Sequence, residues 1–376
     1  MARNRRIVRE SEPLPALYAL VQPGLEAIAA EEMTRDLGGE VKKTARGIVV
    51  FRVNEVSPAV LQLRTTEDVF LLAWGSDSLT YRASDLQNIR RWTANRPNWE
   101  HLFRIHHRLR PKTRGKPTFH LVCQMQGEHG YKRSDARDAL IDGLRRHIPP
   151  AWIFQDENAW LEIWLTIRGQ TAVCGVRLSD RTMRHRSYKT DHIQASLRPT
   201  AAAAMVRLAG IAPGMTVLDP MCGAGTILAE AIELCNQRKT QDVLVVGGDL
   251  DPNAVFVSSQ NLAHVGRVRL ARWDVRRLPL AAESVDRVIS NPPFGKQLLT
   301  PQDVVPLYAE MARQLDRVMR RGGRAVLLVA EYDPLREALR AVRWKPLRQY
   351  RVRVQGQAAV LSVWQKPDSF DTMVLS

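Results

Sequence analysis

The chain is short of three things. It has only four cysteines in 376 residues, Cys123, Cys174, Cys222 and Cys235. No two stand in a C-x-x-C pair and no cysteine–histidine cluster has zinc spacing, so neither a disulfide framework nor a metal site is expected. Isolated thiols fit a reducing, cytoplasmic compartment. Long apolar runs are also missing. None approaches the ~18 residues of a membrane helix, and none follows the basic stretch Met1 to Arg9, so no membrane span and no cleaved signal peptide is expected. Acids are the third shortage: Asp and Glu number 39 against 55 Lys and Arg, a net charge of +16. A surplus of that sign points to a polyanionic partner, and nucleic acid is the commonest.

What is present divides along the chain. Residues 1–13 read as a disordered basic tail. Residues 14–80 alternate strand-like and helix-like runs: an apolar strand at 14–21, a helix with Leu25, Ile28, Ala29, Met33 and Leu37 at helical spacing, a stop at Gly38-Gly39, a strand at 47–53, a short helix at 59–63 and a strand at 69–74. That order predicts a small α+β layer. Residues 81–180 form a second unit, with a strand at 119–125, an amphipathic helix at 134–147 and a hairpin over 160–178 turning at Gly169. It contains the run 104–116, which carries six Lys or Arg and no acid. Residues 181–196 are polar and basic and read as a linker or hinge. From 197 to 376 strands alternate with helices, at 216–219, 243–249, 268–273, 285–290 and 324–330, the signature of a parallel doubly wound α/β sheet. Two further segments, 347–354 and 358–364, predict an antiparallel hairpin at its edge.

The chemistry concentrates at the ends of these strands. Asp219-Pro-Met-Cys-Gly223-Ala-Gly225-Thr226 lies between a strand and a helix, and its glycines permit a tight turn against a ligand. The third glycine of a dinucleotide fingerprint is absent, and no Gly-Lys-Ser/Thr makes it a phosphate loop. Asp249 ends the second strand, where a carboxylate can accept both hydroxyls of a ribose, while Asp251 suits a helix cap. Asp274 ends the third, where it can accept from an adenine amino group. Asn291-Pro292-Pro293-Phe294 ends the fourth: two oxygen acceptors and an aromatic face for a flat ring bearing an amine. Ligands of open α/β sheets bind at the carboxyl ends of strands, where these four positions would converge. Ribose and adenine grips without a pyrophosphate cradle fit S-adenosylmethionine better than a nicotinamide dinucleotide. Cys222 reads as a small buried residue rather than a nucleophile. The histidines at 101–107 and His264 show no metal pattern and read as surface or RNA-facing.

The segments DPMCGAGTILAEA (219–231), GGDLDPNAV (247–255) and NPPFGKQL (291–298) resemble the Rossmann-like RNA methyltransferases that modify guanine at its exocyclic N2. LRPTAAAAMVRLAG (197–210) is similar to the segment preceding the glycine loop in that family, and PGLEAIAAEE (23–32) to the start of the ferredoxin-like domain in its THUMP-bearing members. The resemblance implies a ferredoxin-like domain over 14–80, a THUMP domain over 81–180 and a seven-stranded methyltransferase domain over 197–376. It implies that Asp219, Gly223, Gly225, Thr226, Asp249, Leu250, Asp274 and Val275 contact S-adenosyl-L-methionine, and that Asn291, Pro292 and Phe294 hold the guanine. The substrate it implies is tRNA, at position 6 of the acceptor stem, with position 10 or ribosomal RNA as relatives' targets. A monomer is expected. Arg108, Arg110, Lys112, Arg114, Lys116, Arg184, Arg186 and Lys189 are the expected RNA contacts.

The Asn-Pro-Pro-aromatic turn also serves amino-adenine methylation in DNA and glutamine methylation in proteins. The basic N-terminal half favours nucleic acid over protein, and its THUMP-like content favours RNA over DNA. A non-catalytic RNA-binding factor is the alternative of another class, which the intact acids and Asn291 disfavour.

Overall fold

The computed structural model describes residues 13–112, 114–191, 196–293, 301–354 and 356–368, with the backbone alone at 301 and 302. The N-terminal half contains β1 (Leu17–Val21), α1 (Glu26–Leu37), β2 (Glu40–Ala45), β3 (Ile48–Arg52), β4 (Thr66–Ser76), α2 (Ser84–Asn95), α3 (Trp99–Leu109), β5 (Thr118–Gln126), α4 (Arg133–Leu144), β6 (Ile153–Phe154), β7 (Leu161–Arg168) and β8 (Thr171–Arg177). These strands make one eight-stranded sheet in the order β2-β3-β1-β4-β8-β7-β5-β6. The two units expected on either side of residue 80 are therefore joined edge to edge. Phe70 of β4 pairs with Arg177 of β8, and the ladder continues to Ser76 and Ala172.

Sequence patterning missed four elements here, one of them the two-residue strand β6, too short to carry a pattern. Strand β2 is largely exposed and polar, so no alternation marked it. Helices α2 and α3 fall in stretches rich in Arg and His, where charge masks the apolar face of Ile89, Trp92, Trp99, Leu102 and Ile105. Conversely, the helix expected at 59–63 is a single 3₁₀ turn, Pro58–Gln62. His106, read as surface, is buried edge-on against Trp160, and burial pushes its imidazole down to about 3, so it stays neutral.

The C-terminal half contains α5 (Pro199–Ala209), β9 (Thr216–Asp219), α6 (Thr226–Arg238), β10 (Leu244–Asp249), α7 (Pro252–Leu262), β11 (Arg269–Arg272), β12 (Val285–Ser290), α8 (Pro301–Val318), β13 (Met319–Val329), α9 (Tyr332–Ala341), β14 (Lys345–Val354) and β15 (Gln357–Gln365). The sheet order is β11-β10-β9-β12-β13-β15-β14. The pairings from β11 to β13 are parallel, and β15 and β14 add antiparallel to the β13 edge. This is the Rossmann-like arrangement expected from the sequence. The strand order reverses between β10-β9 and β12, which puts the switch point, and hence the ligand crevice, at the tips of β9, β10 and β12.

The two halves are fastened by buried carboxylates rather than hinged. Glu230 of α6 is 1% exposed and takes both forks of Arg64, from the N-terminal half, at 2.6 and 3.0 Å. It also accepts from Arg186 Nε at 3.2 Å and from the Tyr188 hydroxyl at 2.7 Å. The exchange is reciprocal. Glu32 of α1 accepts from Arg207 of α5 at 2.8 Å, as well as from the backbone amides of Arg64 and Thr65. Asp68 of β4, wholly buried, pairs with Arg177 and Arg184. The stretch read as a linker is thus a strap pinned at Arg184, Arg186 and Tyr188; residues 192–195 of it lie outside the described residues.

Removing one partner of a buried pair leaves the other charge without compensation, at a cost of about 3–5 kcal/mol. Glu230→Ala leaves Arg64 with Glu233 alone, at 3.2 Å, and Arg186 with only carbonyl acceptors, so it should lower unfolding stability by up to that amount in urea titration. A loss below about 1 kcal/mol would mean that the guanidinium groups find water or new partners.

Candidate active site

Four strand tips meet through hydrogen bonds. At the tip of β9, Asp219 is 1% exposed and accepts from Ser290 Oγ of β12 at 2.8 Å and from Met221 N at 3.3 Å. The loop that follows is latched to β10 by Cys222 N to Gly248 O at 2.9 Å, and to the end of β11 by Trp273 Nε1 to Pro220 O at 2.9 Å. Asp249, at the tip of β10, accepts from Gly223 N at 2.9 Å and from Asp251 N at 3.1 Å. Gly225 turns the chain into α6 at φ 76°, and a Cβ there would stand 2.4 Å from Ser258 Oγ, so nothing larger fits. Thr226 and Val275 are buried beside this loop. Leu250 is 55% exposed next to Asp249, an apolar face at the mouth of the site.

The structure therefore brings Asp219, Gly223, Gly225, Thr226, Asp249 and Asn291 to one edge of one sheet. Asn291 follows β12 directly. Its Oδ1 is buried and has no hydrogen-bond partner among the described residues, while Pro292 beside it is buried. A buried oxygen without a donor costs about 1–3 kcal/mol, a penalty a fold retains where a ligand supplies the donor. Phe294 lies outside the described residues. Asp274 caps the 3₁₀ turn Val275–Arg277 and is forked by Arg276, with Nε at 2.9 and 3.0 Å and Nη2 at 2.6 Å. The Arg276 pair holds its carboxyl below the usual range, and a ligand amine reaches these oxygens only by displacing Arg276.

Of the expected RNA contacts, Arg108, Arg114 and Lys116 are exposed and Lys112 is half-buried. The other four are committed inside the protein. Arg110 bonds Leu178 O and Asp180, Arg184 bonds Asp68, Arg186 bonds Glu230 and three carbonyls, and Lys189 donates to Leu197 O at 2.6 Å. Burial pushes the Lys189 amine down to about 8. Sequence reading missed Ser290, Trp273 and Asn261. Asn261 is 3% exposed and joins the strap to the glycine loop: its Oδ1 accepts from Thr190 N and Asp191 N, and its Nδ2 donates to Ala224 O at 3.0 Å. Nothing in the local sequence marks it, because its partners are about 37 and 70 residues away. Among the described residues no group of His, Cys, Asp or Glu could hold a metal, and no helix is long and apolar enough to cross a membrane. All four cysteines are buried and unpaired.

Residues 186–359 match UPF0020, the RMKL-like methyltransferase domain. That stretch is a methyltransferase domain of this family. A tRNA (guanine(6)-N2)-methyltransferase of Thermus thermophilus is 28% identical over 328 residues, which span 86% of this chain and 91% of that one. The human U6 snRNA (guanine-N(2))-methyltransferase THUMPD2 is 34% identical over 220 residues, 57% of this chain; the match spans only 41% of the human protein. The crystal structure of TrmN from Thermus thermophilus superimposes with a TM-score of 0.73 at 26% identity, covering 93% of this chain and 99% of that one.

Burial pushes the Asp219 carboxyl up to about 7; the Ser290 and Met221 hydrogen bonds work against that rise and the Asp249 charge adds to it. The folded protein thus holds this proton more tightly than the unfolded chain, where an Asp titrates near ~3.9. The group's contribution to stability is full below about pH 4 and is lost as the pH rises through about 7. Asp219→Asn cannot titrate, so it should gain on the wild type in urea titrations between pH 5 and pH 8. A difference that stays constant across that range would show that Asp219 ionises normally.

Proposed function

We propose that the protein transfers a methyl group from S-adenosyl-L-methionine to the exocyclic N2 amine of a guanosine in tRNA, with acceptor-stem position 6 as the favoured target. The observation that carries this reading is the orphaned, buried Oδ1 of Asn291 at the switch point of the sheet. The donor set suits the cofactor. Asp219 and Asp249 offer carboxylates for its ammonium and hydroxyl groups, and Leu250 offers an apolar face for its adenine. Bound there, S-adenosylmethionine supplies an activated methyl group.

The chain's own task is to present the nucleophile. An aromatic amine attacks poorly because its lone pair is delocalised into the ring. Acceptance of its hydrogens by Asn291 Oδ1 and the Pro292 carbonyl would favour a pyramidal nitrogen and aim the lone pair. These oxygens also face the positive charge that develops on the nitrogen, so they act by preorganised electrostatics and orientation. No strong base is required, since the proton leaves after attack. A base inside a duplex cannot reach this pocket, so the target nucleotide must be flipped out.

The relatives' printed substrates support RNA. The match to the Thermus tRNA enzyme runs through 91% of it, including the N-terminal half, whereas the match to the snRNA enzyme covers 41% of that protein. Domain content as well as active site thus favours tRNA. Asn291→Ala should reduce methylation by at least 10²-fold, the scale for loss of a charge-stabilising group, while RNA affinity stays within a few-fold. The check is mass analysis of nucleosides from treated tRNA: N2-methylguanosine supports the assignment. N6-methyladenine from treated DNA, or full turnover by Asn291→Ala, would refute it.

A further inference from the structure

A second cleft, of about 590 Å³, opens between the two halves and is lined by Pro23, Gly24, Glu26, Arg46, Arg351 and Arg353, among others. One wall is the turn between β2 and β3 with the loop before α1. The other is β14, the outermost strand of the methyltransferase sheet. The walls meet by backbone contact: a Cβ on Gly24 would stand 2.2 Å from Arg351 O, and Gln22 Nε2 donates to Arg353 O at 2.7 Å.

The register fixes where this cleft lies. Ser290 at the tip of β12 is level with Leu327 of β13, Leu327 with Ser362 of β15, and Ser362 with Gln349 of β14. Arg351 and Arg353 are therefore two and four residues further toward the active-site edge of the sheet. Three strand spacings separate β14 from β12, about 14 Å. The cleft opens beside the methyl-acceptor site and on the same edge.

Its charge is one-sided. Arg46, Arg351 and Arg353 are exposed, and none pairs with a carboxylate among the described residues. The basic neighbours on the first wall are already neutralised, Lys42 by Glu40 and Lys43 by Asp77, and Arg348 faces Glu31. The acid in the cleft, Glu26, is occupied by the amides of Gly24 at 2.9 Å and Gly47 at 2.5 Å. A protein that commits Arg110, Arg184 and Arg186 to internal bonds, but leaves Arg46 and Arg351 without a side-chain partner among the described residues and Arg353 with only the Gly356 carbonyl at 3.3 Å, presents these three cations to an external polyanion. An unpaired edge strand studded with arginine also resists strand addition by another chain, so a phosphodiester backbone suits it better than a peptide.

We propose that Arg46, Arg351 and Arg353 form a phosphate-binding cleft for the RNA backbone flanking the target nucleotide. This rests on the RNA reading above. The test is binding of transcribed tRNA to full-length wild type and to Arg46→Gln/Arg351→Gln, by fluorescence anisotropy at several salt concentrations. Neither side chain has an internal hydrogen-bond partner among the described residues, so the variant should match the wild type in melting temperature and in calorimetric S-adenosylmethionine affinity. Two lost phosphate contacts should flatten the log–log salt slope by about 1.4–1.8 and weaken binding about tenfold near ~0.1 M salt. Wild-type affinity and slope in the variant would overturn the cleft while leaving the proposed function intact. A wild type that neither binds nor methylates tRNA would overturn both.

Discussion

Glu230 and Glu32 set the geometry on which everything else depends. Each half of the molecule buries a carboxylate that an arginine of the other half helps to satisfy: Arg64 reaches Glu230, and Arg207 reaches Glu32. Such pairs add little net stability, because desolvation consumes most of the Coulombic gain. Their strength is directional. A misplaced half would leave a buried charge unpaired at several kcal/mol, so the pairs select one relative orientation of the N-terminal half and the methyltransferase sheet. The proposed function, which places one nucleotide at one strand tip, needs that rigidity, since an error of about 1 Å in positioning costs on the order of 10²-fold in rate.

The same logic reaches the reaction centre. Glu230 sits one turn into α6, the helix that starts at the glycine loop, so the clamp and that loop share an element. Asn261 adds a second tie, from the strap to Ala224 within the loop. Against this fixed frame Asp219 and Asn291 are held in costly states, one a buried carboxyl pushed toward neutrality and the other a buried oxygen without a donor. Packing elsewhere sustains them: continuous apolar cores run on both faces of the sheet, one shared with the N-terminal half.

Legibility in the sequence followed the range of the interactions. The α/β half could be read because its strands are apolar runs and its loops carry Gly, Pro and Asp at strand ends, all local signals. The tips at Asp219, Asp249 and Asn291 were found this way, and the structure brings them together. The single eight-stranded sheet was not legible, because the β4–β8 ladder joins residues about 100 apart and no local pattern announces it. Basic residues misled for a related reason. Arg184 and Arg186 look like RNA contacts in a polar stretch, and only the fold reveals Asp68 and Glu230 facing them. Arg46 and Arg351 attracted no notice, because their proximity exists only where the two halves meet.

The central claim is that the tip of β12 receives an amine of an extruded guanine beside the cofactor loop. A crystal structure of the protein with S-adenosylhomocysteine and an RNA stem containing the target guanosine tests it most directly. The account predicts the guanine N2 within ~3.2 Å of Asn291 Oδ1, with the cofactor's carboxylate end toward the glycine loop. A stacked, unflipped guanine, or Asn291 Oδ1 bonded to a protein donor in that complex, would contradict it.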